Sequence, residues 1–497
     1  MIENIYNIIG RSDPQPPRSS SARLQGKNLG GSADLIIIGA GPGGYRAAEL
    51  AAKGGLRVVI VEGAHVGGTC LNEGCIPTKC YARNAEVLSL TREAATFGIT
   101  TGDTPAFSLE QARQRKDTVI ETLRSGVETL LSHPNITLER AKARFVDAHT
   151  VALCPVSGDT IATAPPEATE TTLTAPYIII ATGSVPKTLP ISIAPDCPVL
   201  DSSDLLRLDR LPHRLCIVGA GVIGMEFASI FSAFGTEVTV VEFLKECLPA
   251  LDSDIAKRLR KTLERRGVTF CLQSAVTSIA LADGQKVVTF NDKKGRPQTV
   301  EADEVLMAVG RAPRVSNDLA LAGIDYDQRR GIHVDEHLQT SLPGVYAIGD
   351  VNGLQMLAHA AEAQAKLVVD HILHSQPSPL HTPLLIPAAI FTYPEAACVG
   401  FSEDQLKADG TPYECRKAFH RANGKALAMG EPEGMVKLLS EPGAGRIVGC
   451  HAYGAHAADM VQEVSSLMCL GATIAQLRTM VHIHPTLGEM VLAAAEE

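Results

Sequence analysis

Asp34-Leu35-Ile36-Ile37-Ile38-Gly39-Ala40-Gly41-Pro42-Gly43-Gly44 is the stretch on which the fold turns. Asp34–Ile38 is a short run of mostly β-branched apolar residues, as expected of a strand buried on both faces of a parallel sheet. The glycines that follow have separate tasks. Gly39 permits a tight turn, Gly41 lets backbone approach a pyrophosphate, and Gly44 lets the next helix pack on the strand. Tyr45–Lys53 is an alanine-rich helix whose N-terminus offers N–H groups to phosphate. A second strand, Arg57–Val61, ends in Glu62, 23 residues after Gly39, where a carboxylate accepts from ribose hydroxyls.

The same pattern returns further along the chain. Leu215–Val218 reads as a strand, Gly219-Ala220-Gly221-Val222-Ile223-Gly224 as the turn, and Met225–Phe234 as a helix. Glu237–Val241 is the next strand and ends in Glu242, again 23 residues after the first glycine. Two nucleotide folds in one chain imply electron transfer between two bound dinucleotides. At the second, Glu242 repels a 2′-phosphate and suits a free 2′-hydroxyl, and Lys245 is the only nearby cation, so NAD is favoured over NADP. Cys216–Gly235 is nearly all apolar, but Glu226 in its middle and its early glycines make it a buried strand–turn–helix rather than a membrane span.

Directly after the first acidic strand comes Gly67-Gly68-Thr69-Cys70-Leu71-Asn72-Glu73-Gly74-Cys75-Ile76-Pro77-Thr78-Lys79. Five extended residues span about 16 Å, far beyond the Cα separation of a disulfide, so pairing Cys70 with Cys75 requires a turn. Asn72-Glu73-Gly74 has turn chemistry. Pro77 suits the first turn of a helix, which places Cys75 at a helix N-terminus where a thiolate is stabilised. Cys80 is equally distant in sequence, but positions i and i+5 of one helix point about 140° apart, so Cys70–Cys75 is the expected pair. At the far end stands His482-Ile483-His484-Pro485-Thr486-Leu487-Gly488-Glu489. A thiol donor needs a base of near-neutral pKa, which histidine supplies, and Glu489 is the nearest carboxylate to orient it. Two histidines flanking one residue also suit zinc, yet no further ligand cluster accompanies them, and no metal is expected.

Composition narrows the function classes. The chain has 497 residues, 45% hydrophobic and 20% charged, with a net charge of -10. That length suggests about three domains. The acidic balance opposes a nucleic-acid binder, which needs a basic excess to release counterions. Twelve cysteines are too sparse for a disulfide-built scaffold and fit a reducing compartment. Glu3 and two asparagines within Met1–Gly10 do not suit a secretory signal, so none is expected, and residues 1–32 read as a disordered tail. The expected location is the cytoplasm, or an organellar matrix if that tail is a transit segment.

These residues together resemble the class I pyridine nucleotide–disulfide oxidoreductases, and within them the branch that oxidises dihydrolipoyl groups. The resemblance runs from about residue 33 to the C-terminus. Its further marks are IIATGS at 179–184, AVGRAPR at 308–314, VYAIGD at 345–350 and MLAHAAE at 356–362. It implies FAD at the first site, NAD at the second, and an α/β architecture of two Rossmann-like domains plus a C-terminal α+β dimerisation domain. By motif position, Cys70 is the interchange thiol and Cys75 lies against the flavin. Lys79 stands near the flavin and pairs with Glu226, a residue assigned to the second nucleotide site. Thr182, Gly183, Asp350 and the run Met356, Leu357, Ala358, His359 belong to the FAD site, and Gly310 to the NAD site. His484 is the base and Glu489 its partner, reaching the disulfide from the other subunit of a homodimer. Glu73 departs from the family's usual apolar residue, and Ala143 from its usual glycine.

The expected division is an FAD domain over 33–190 and an NAD domain over 191–312. A return to the FAD domain over 313–375 and, after a Pro-rich linker at 375–383, a C-terminal domain over 384–497 complete it. The Thr/Ala/Pro-rich stretch 155–175 reads as a surface hairpin. The resemblance implies that a lipoylated protein domain is the dithiol substrate, within a 2-oxo-acid dehydrogenase or glycine cleavage complex. The rival reading is an NADP-linked reductase of glutathione type. A mercuric reductase is disfavoured because Ala495-Glu496-Glu497 is no cysteine pair, and a purely structural subunit because no reacting residue is missing.

Overall fold

The computed structural model describes residues 33–102, 105–155, 171–374 and 385–497. The expected tail at 1–32, most of the hairpin at 155–175 and the linker at 375–383 lie outside the described residues. Three of the six sheets among the described residues position the site. In the first, Leu35–Ile38 is central, with Tyr177–Ile180 on one side and Val58–Glu62 on the other, all parallel. Ile37 stands beside both Ile60 and Ile179, and all three are fully buried, which is why the run has no polar alternation. Val345–Ala347 joins this sheet beside Tyr177–Ile180. The helices Pro42–Lys53 and Ala358–His374 pack together on one face, and buried Ala47, Ala48, Ala51 and Ala52 let them approach closely.

The second sheet is parallel throughout, in the order Thr269–Cys271, Glu237–Val241, Arg214–Val218, Glu304–Met307. Its helix Val222–Phe234 is buried around much of its circumference because it also packs on Cys75–Arg92. Among the described residues no helix is long and apolar enough to cross a membrane, and Cys216–Gly235 is the strand–turn–helix expected. The third sheet is antiparallel, in the order Ala388–Ile390, Glu395–Gly400, Ile447–Gly454, Met435–Ser440, Glu414–Phe419. Helices Ala457–Cys469 and Glu489–Glu496 cover it through Val461, Val464, Val491 and Ala494.

Three local expectations change. The apolar run Ala389–Gly400 reads from the sequence as one strand but forms two, interrupted before Pro394, which has no N–H for a ladder. The stretch Ile474–Met480 reads from the sequence as one helix, but the helix ends at Leu477. The turn expected at Asn72-Glu73-Gly74 is a helix junction: Gly68–Glu73 is helical, Gly74 breaks the helix at φ −135°, ψ −103°, and Cys75–Arg92 begins at once.

Candidate active site

The two glycine turns have the same internal geometry. A Cβ on Gly44 would fall 1.9 Å from the Gly39 carbonyl oxygen, and one on Gly224 would fall 2.0 Å from that of Gly219. Gly39 and Gly219 both sit at φ +104°, a conformation L side chains rarely adopt. Gly41 and Gly221 are the residues before each helix and carry no side-chain cap, so the first-turn N–H groups face outward without a protein partner of that kind. Space at Gly221 is open, with no atom within 4 Å of an added Cβ, and Gly41 meets only Gly68 Cα, at 3.9 Å. These uncapped, side-chain-free helix ends fit the pyrophosphates of two dinucleotides.

The acidic residues repeat too. The Ala40 and Ala64 N–H groups donate to Glu62 at 2.7 and 2.8 Å. Those of Ala220 and Leu244 donate to Glu242 at 2.5 and 2.7 Å. Each carboxylate is thereby fixed at the mouth of its turn. Gly310, at φ +103°, follows the strand Glu304–Met307 on the same sheet as the second turn.

Cys70 and Cys75 form a disulfide with a Cα separation of 4.6 Å. Gly74 makes that approach possible, since a Cβ there would sit 3.0 Å from the Thr69 carbonyl oxygen and 3.5 Å from Cys70 Cα. Gly68, at φ +57°, lies so close to the first glycine turn that a Cβ would meet Gly41 Cα at 2.7 Å. The redox helix is thus seated directly on the first nucleotide turn. Arg124 holds it through Asn72: Arg124 donates twice to the Asn72 side chain, at 2.8 and 3.1 Å, and Asn72 donates on to the Val66 and Gly68 carbonyls. No motif marks Arg124.

Lys79 reaches Glu226 at 2.9 and 3.0 Å and lies over the Phe391 ring. The Phe391 N–H also donates to Glu226, at 2.9 Å, so one carboxylate joins elements of all three sheets' neighbourhoods. Asp350 accepts from the Ser184 hydroxyl at 2.5 Å, and Arg311 donates to that hydroxyl and to the Ser184 carbonyl at 2.7 and 2.9 Å. Ser184 and Arg311 were not singled out, although both lie inside the IIATGS and AVGRAPR stretches. Thr182 donates to the Arg314 carbonyl, and Gly183 adopts φ +76°. Met356 and Leu357 precede the helix that begins at Ala358, and the ring of His359 lies 2.7 Å from the Pro387 carbonyl. Glu73, the unusual residue between the cysteines, is paired with Arg207 at 3.3 Å and accepts from Ser203. Ala143 sits mid-strand opposite Leu153.

His484 and Glu489 are brought together at 2.9 Å, Nδ1 to Oε1. Glu489 also accepts from the Thr486 N–H at 2.8 Å. That backbone donor, and then His484, hold the Glu489 carboxyl below its ordinary value. An ionised carboxylate only accepts, so the His484 proton must sit on Nδ1, leaving the Nε2 lone pair free. The imidazole is 81% exposed in its side chain, flanked by Val481 and Ile483, which are 97% and 80% exposed. His482 is different: it is largely buried and engaged with Glu463 at 2.8 Å. Among the described residues no group of His, Cys, Asp and Glu is arranged to hold a metal ion.

Comparison with known proteins agrees with this geometry. Residues 33–365 match the pyridine nucleotide-disulphide oxidoreductase family, and residues 386–495 match its dimerisation domain. A dihydrolipoyl dehydrogenase of Bacillus subtilis is 36% identical over 465 residues, covering 93% of this chain and 97% of its own. One from Mycobacterium tuberculosis is 37% identical over 459 residues, covering 92% and 96%. Among solved structures, the Cu(II) complex of the HOCl-induced flavoprotein disulfide reductase RclA from Escherichia coli superposes with a TM-score of 0.82. It shares 28% identity and covers 94% of this chain and 99% of its own. Sequence, fold and relatives converge on one conclusion: the chain belongs to the pyridine nucleotide–disulphide oxidoreductase family, beside its dihydrolipoyl dehydrogenases.

Proposed function

We propose that this protein is an NAD-linked dihydrolipoyl dehydrogenase that oxidises a dihydrolipoyl group carried on a partner protein, through Cys70–Cys75 and FAD. The observation that carries the reading is the disulfide seated against the first of two uncapped glycine turns. We assign FAD to the turn at Gly39–Gly44 with Lys79, Thr182, Gly183, Asp350 and the stretch 356–359. We assign NAD to the turn at Gly219–Gly224 with Glu242 and Gly310. Residues 33–190 and 313–375 then serve as the FAD domain, 191–312 as the NAD domain and 384–497 as the dimerisation domain. Exposed Val481 and Ile483 beside His484 support a homodimer in which each subunit's base serves the other's disulfide.

The chemistry assigned to the chain's own groups balances as follows. His484 takes a substrate thiol proton on Nε2, with Glu489 stabilising the resulting imidazolium. The substrate thiolate attacks Cys70 Sγ, and Cys75 leaves as a thiolate at the helix N-terminus, where the backbone N–H groups favour its charge. The second substrate sulfur then closes on the first and releases Cys70, which takes up a proton. The substrate has become a cyclic disulfide, and the protein holds two reducing equivalents. FAD, when bound, supplies the two-electron chemistry that passes them to NAD⁺.

Buried Cys216, Cys247 and Cys450 outside any disulfide support a reducing compartment such as the cytoplasm. A 2-oxo-acid dehydrogenase or glycine cleavage complex is the expected setting for such a substrate. The test is NAD⁺ reduction by dihydrolipoamide with wild type and with Cys75→Ser. The variant is expected to retain FAD and lose turnover by orders of magnitude, whereas undiminished turnover overturns the assignment. A preference for NADPH with glutathione disulfide would favour the rival reading.

A further inference from the structure

A second cavity lies away from both nucleotide turns, where the helix Ser253–Arg265 of the second sheet meets the C-terminal sheet. It has a volume of about 330 Å³ and is walled by Arg258, Lys261 and Arg265 from the helix and by Phe419, Arg421 and Glu433 from the sheet side. Positions 258, 261 and 265 fall on one helical face, so all three cations point the same way. Two are already answered. Arg258 pairs with Asp254 at 2.9 Å, and Arg265 pairs with Glu433 at 2.5 Å. Among the described residues no carboxylate pairs with Lys261 or Arg421. Arg421 instead lies over the Phe419 ring, 4.8 Å from its centroid, with Arg258 at 5.7 Å from the same ring. Stacking leaves the edge N–H groups of a guanidinium open to an anion. The cavity therefore gathers four cations against two carboxylates, Asp254 and Glu433, in a protein whose net charge is -10.

We propose that this cavity binds a small dianion, a phosphate or a short dicarboxylate, and that binding is felt at the base loop. The connection is short. Phe419 lines this cavity and also the one of about 380 Å³ that contains His484 and Glu489. Four residues on, Asn423 donates to the Thr486 carbonyl at 3.0 Å, and Thr486 supplies the N–H that fixes Glu489. A dianion held by Arg421 and Lys261 orders the segment Phe419–Asn423, and with it the loop on which His484 is oriented. The coupling half of the proposal rests on His484 being the base; the binding half does not.

The test uses the FAD-loaded protein and titrates inorganic phosphate and, separately, succinate by calorimetry at constant ionic strength in chloride. Saturable binding of one dianion per subunit is expected, and the stronger of the two probes identifies the ligand's chemistry. The double substitution Arg421→Gln with Lys261→Gln should weaken it at least tenfold while flavin content and melting temperature stay put. Binding absent in wild type, or unchanged in the double variant, overturns the site. The saturating probe should also change kcat with dihydrolipoamide by twofold or more in wild type and not in the double variant. Equal kcat with and without the probe overturns the coupling. Should the protein fail to oxidise dihydrolipoamide at all, the functional reading falls while the calorimetric result on the site still stands.

Discussion

His484, the proposed base, illustrates how few contacts orient an imidazole. One hydrogen bond to Glu489 sets its tautomer and its ring orientation, and one backbone N–H, from Thr486, sets Glu489. Those donors hold the Glu489 carboxyl below its ordinary value, which favours its ionised form beside His484. His484→Gln, which keeps a polar side chain but no base, should lower kcat with dihydrolipoamide by about 10²–10⁴-fold. NADH oxidation by an artificial electron acceptor needs no thiol deprotonation and should be within about twofold of wild type, so the ratio of the two activities is the measurement. Equal losses in both would mean that the substitution damages the fold or the flavin site instead. Glu489→Gln should lie between the two, since its amide oxygen can still accept from Nδ1–H but carries no charge to stabilise the cation.

The strand–turn–helix unit was the most legible element, and its two copies differ from other glycine-rich turns in a way that can be measured. Gly224 and Gly221 are three residues apart with opposite constraints. A methyl at 224 strikes the Gly219 carbonyl oxygen, whereas a methyl at 221 meets no protein atom within 4 Å. Gly224→Ala should therefore cost stability, seen as a melting temperature lower by several degrees or as insoluble protein. Gly221→Ala should melt as wild type does, retain FAD, and raise KM for NADH about tenfold or more, because its methyl occupies the path of the pyrophosphate. Normal KM in Gly221→Ala would remove the second nucleotide from that turn. Such elements could be read because their chemistry is local: glycine, β-branched run and acid lie within one stretch. The junction at Gly74 was misread as a turn for the complementary reason. Asn, Glu and Gly have turn propensity, but packing of Gly68 on Gly41 and the Arg124–Asn72 bonds hold the first two of them in a helix, a choice made by residues far off in sequence. The strand Glu414–Phe419 and the helix Glu489–Glu496 went unread, because their period is set by a sheet assembled from separate segments.

At the scale of the whole molecule, the least legible feature is the one that ties the second sheet to the third. Lys437, fully buried on the C-terminal sheet, donates to both oxygens of Asp252 at 2.8 Å and to Glu403 at 2.5 Å. Asp252 caps the helix Ser253–Arg265, and its own N–H points to His451. The partners are 185 residues apart in the Lys437–Asp252 case, so no motif could announce them. Removing the lysine alone would leave buried Asp252 without its cation, while Glu403 keeps Lys407 and Tyr413, which makes Lys437→Met strongly destabilising, by about 3–5 kcal/mol. Glu403 gives the subtler test. Burial by itself raises its pKa, but hydrogen bonds from Lys407, Lys437 and Tyr413 overcome this and bring it from 4.5 down to about 2. A carboxyl depressed in the folded state stabilises the protein above its unfolded value, and that contribution drains away as pH falls from about 4.5 toward about 2. The urea midpoint of wild type should accordingly exceed that of Glu403→Gln near neutral pH, and the gap should narrow steadily between about pH 5 and about pH 3. A gap of constant size across that range would assign the effect to packing and not to charge.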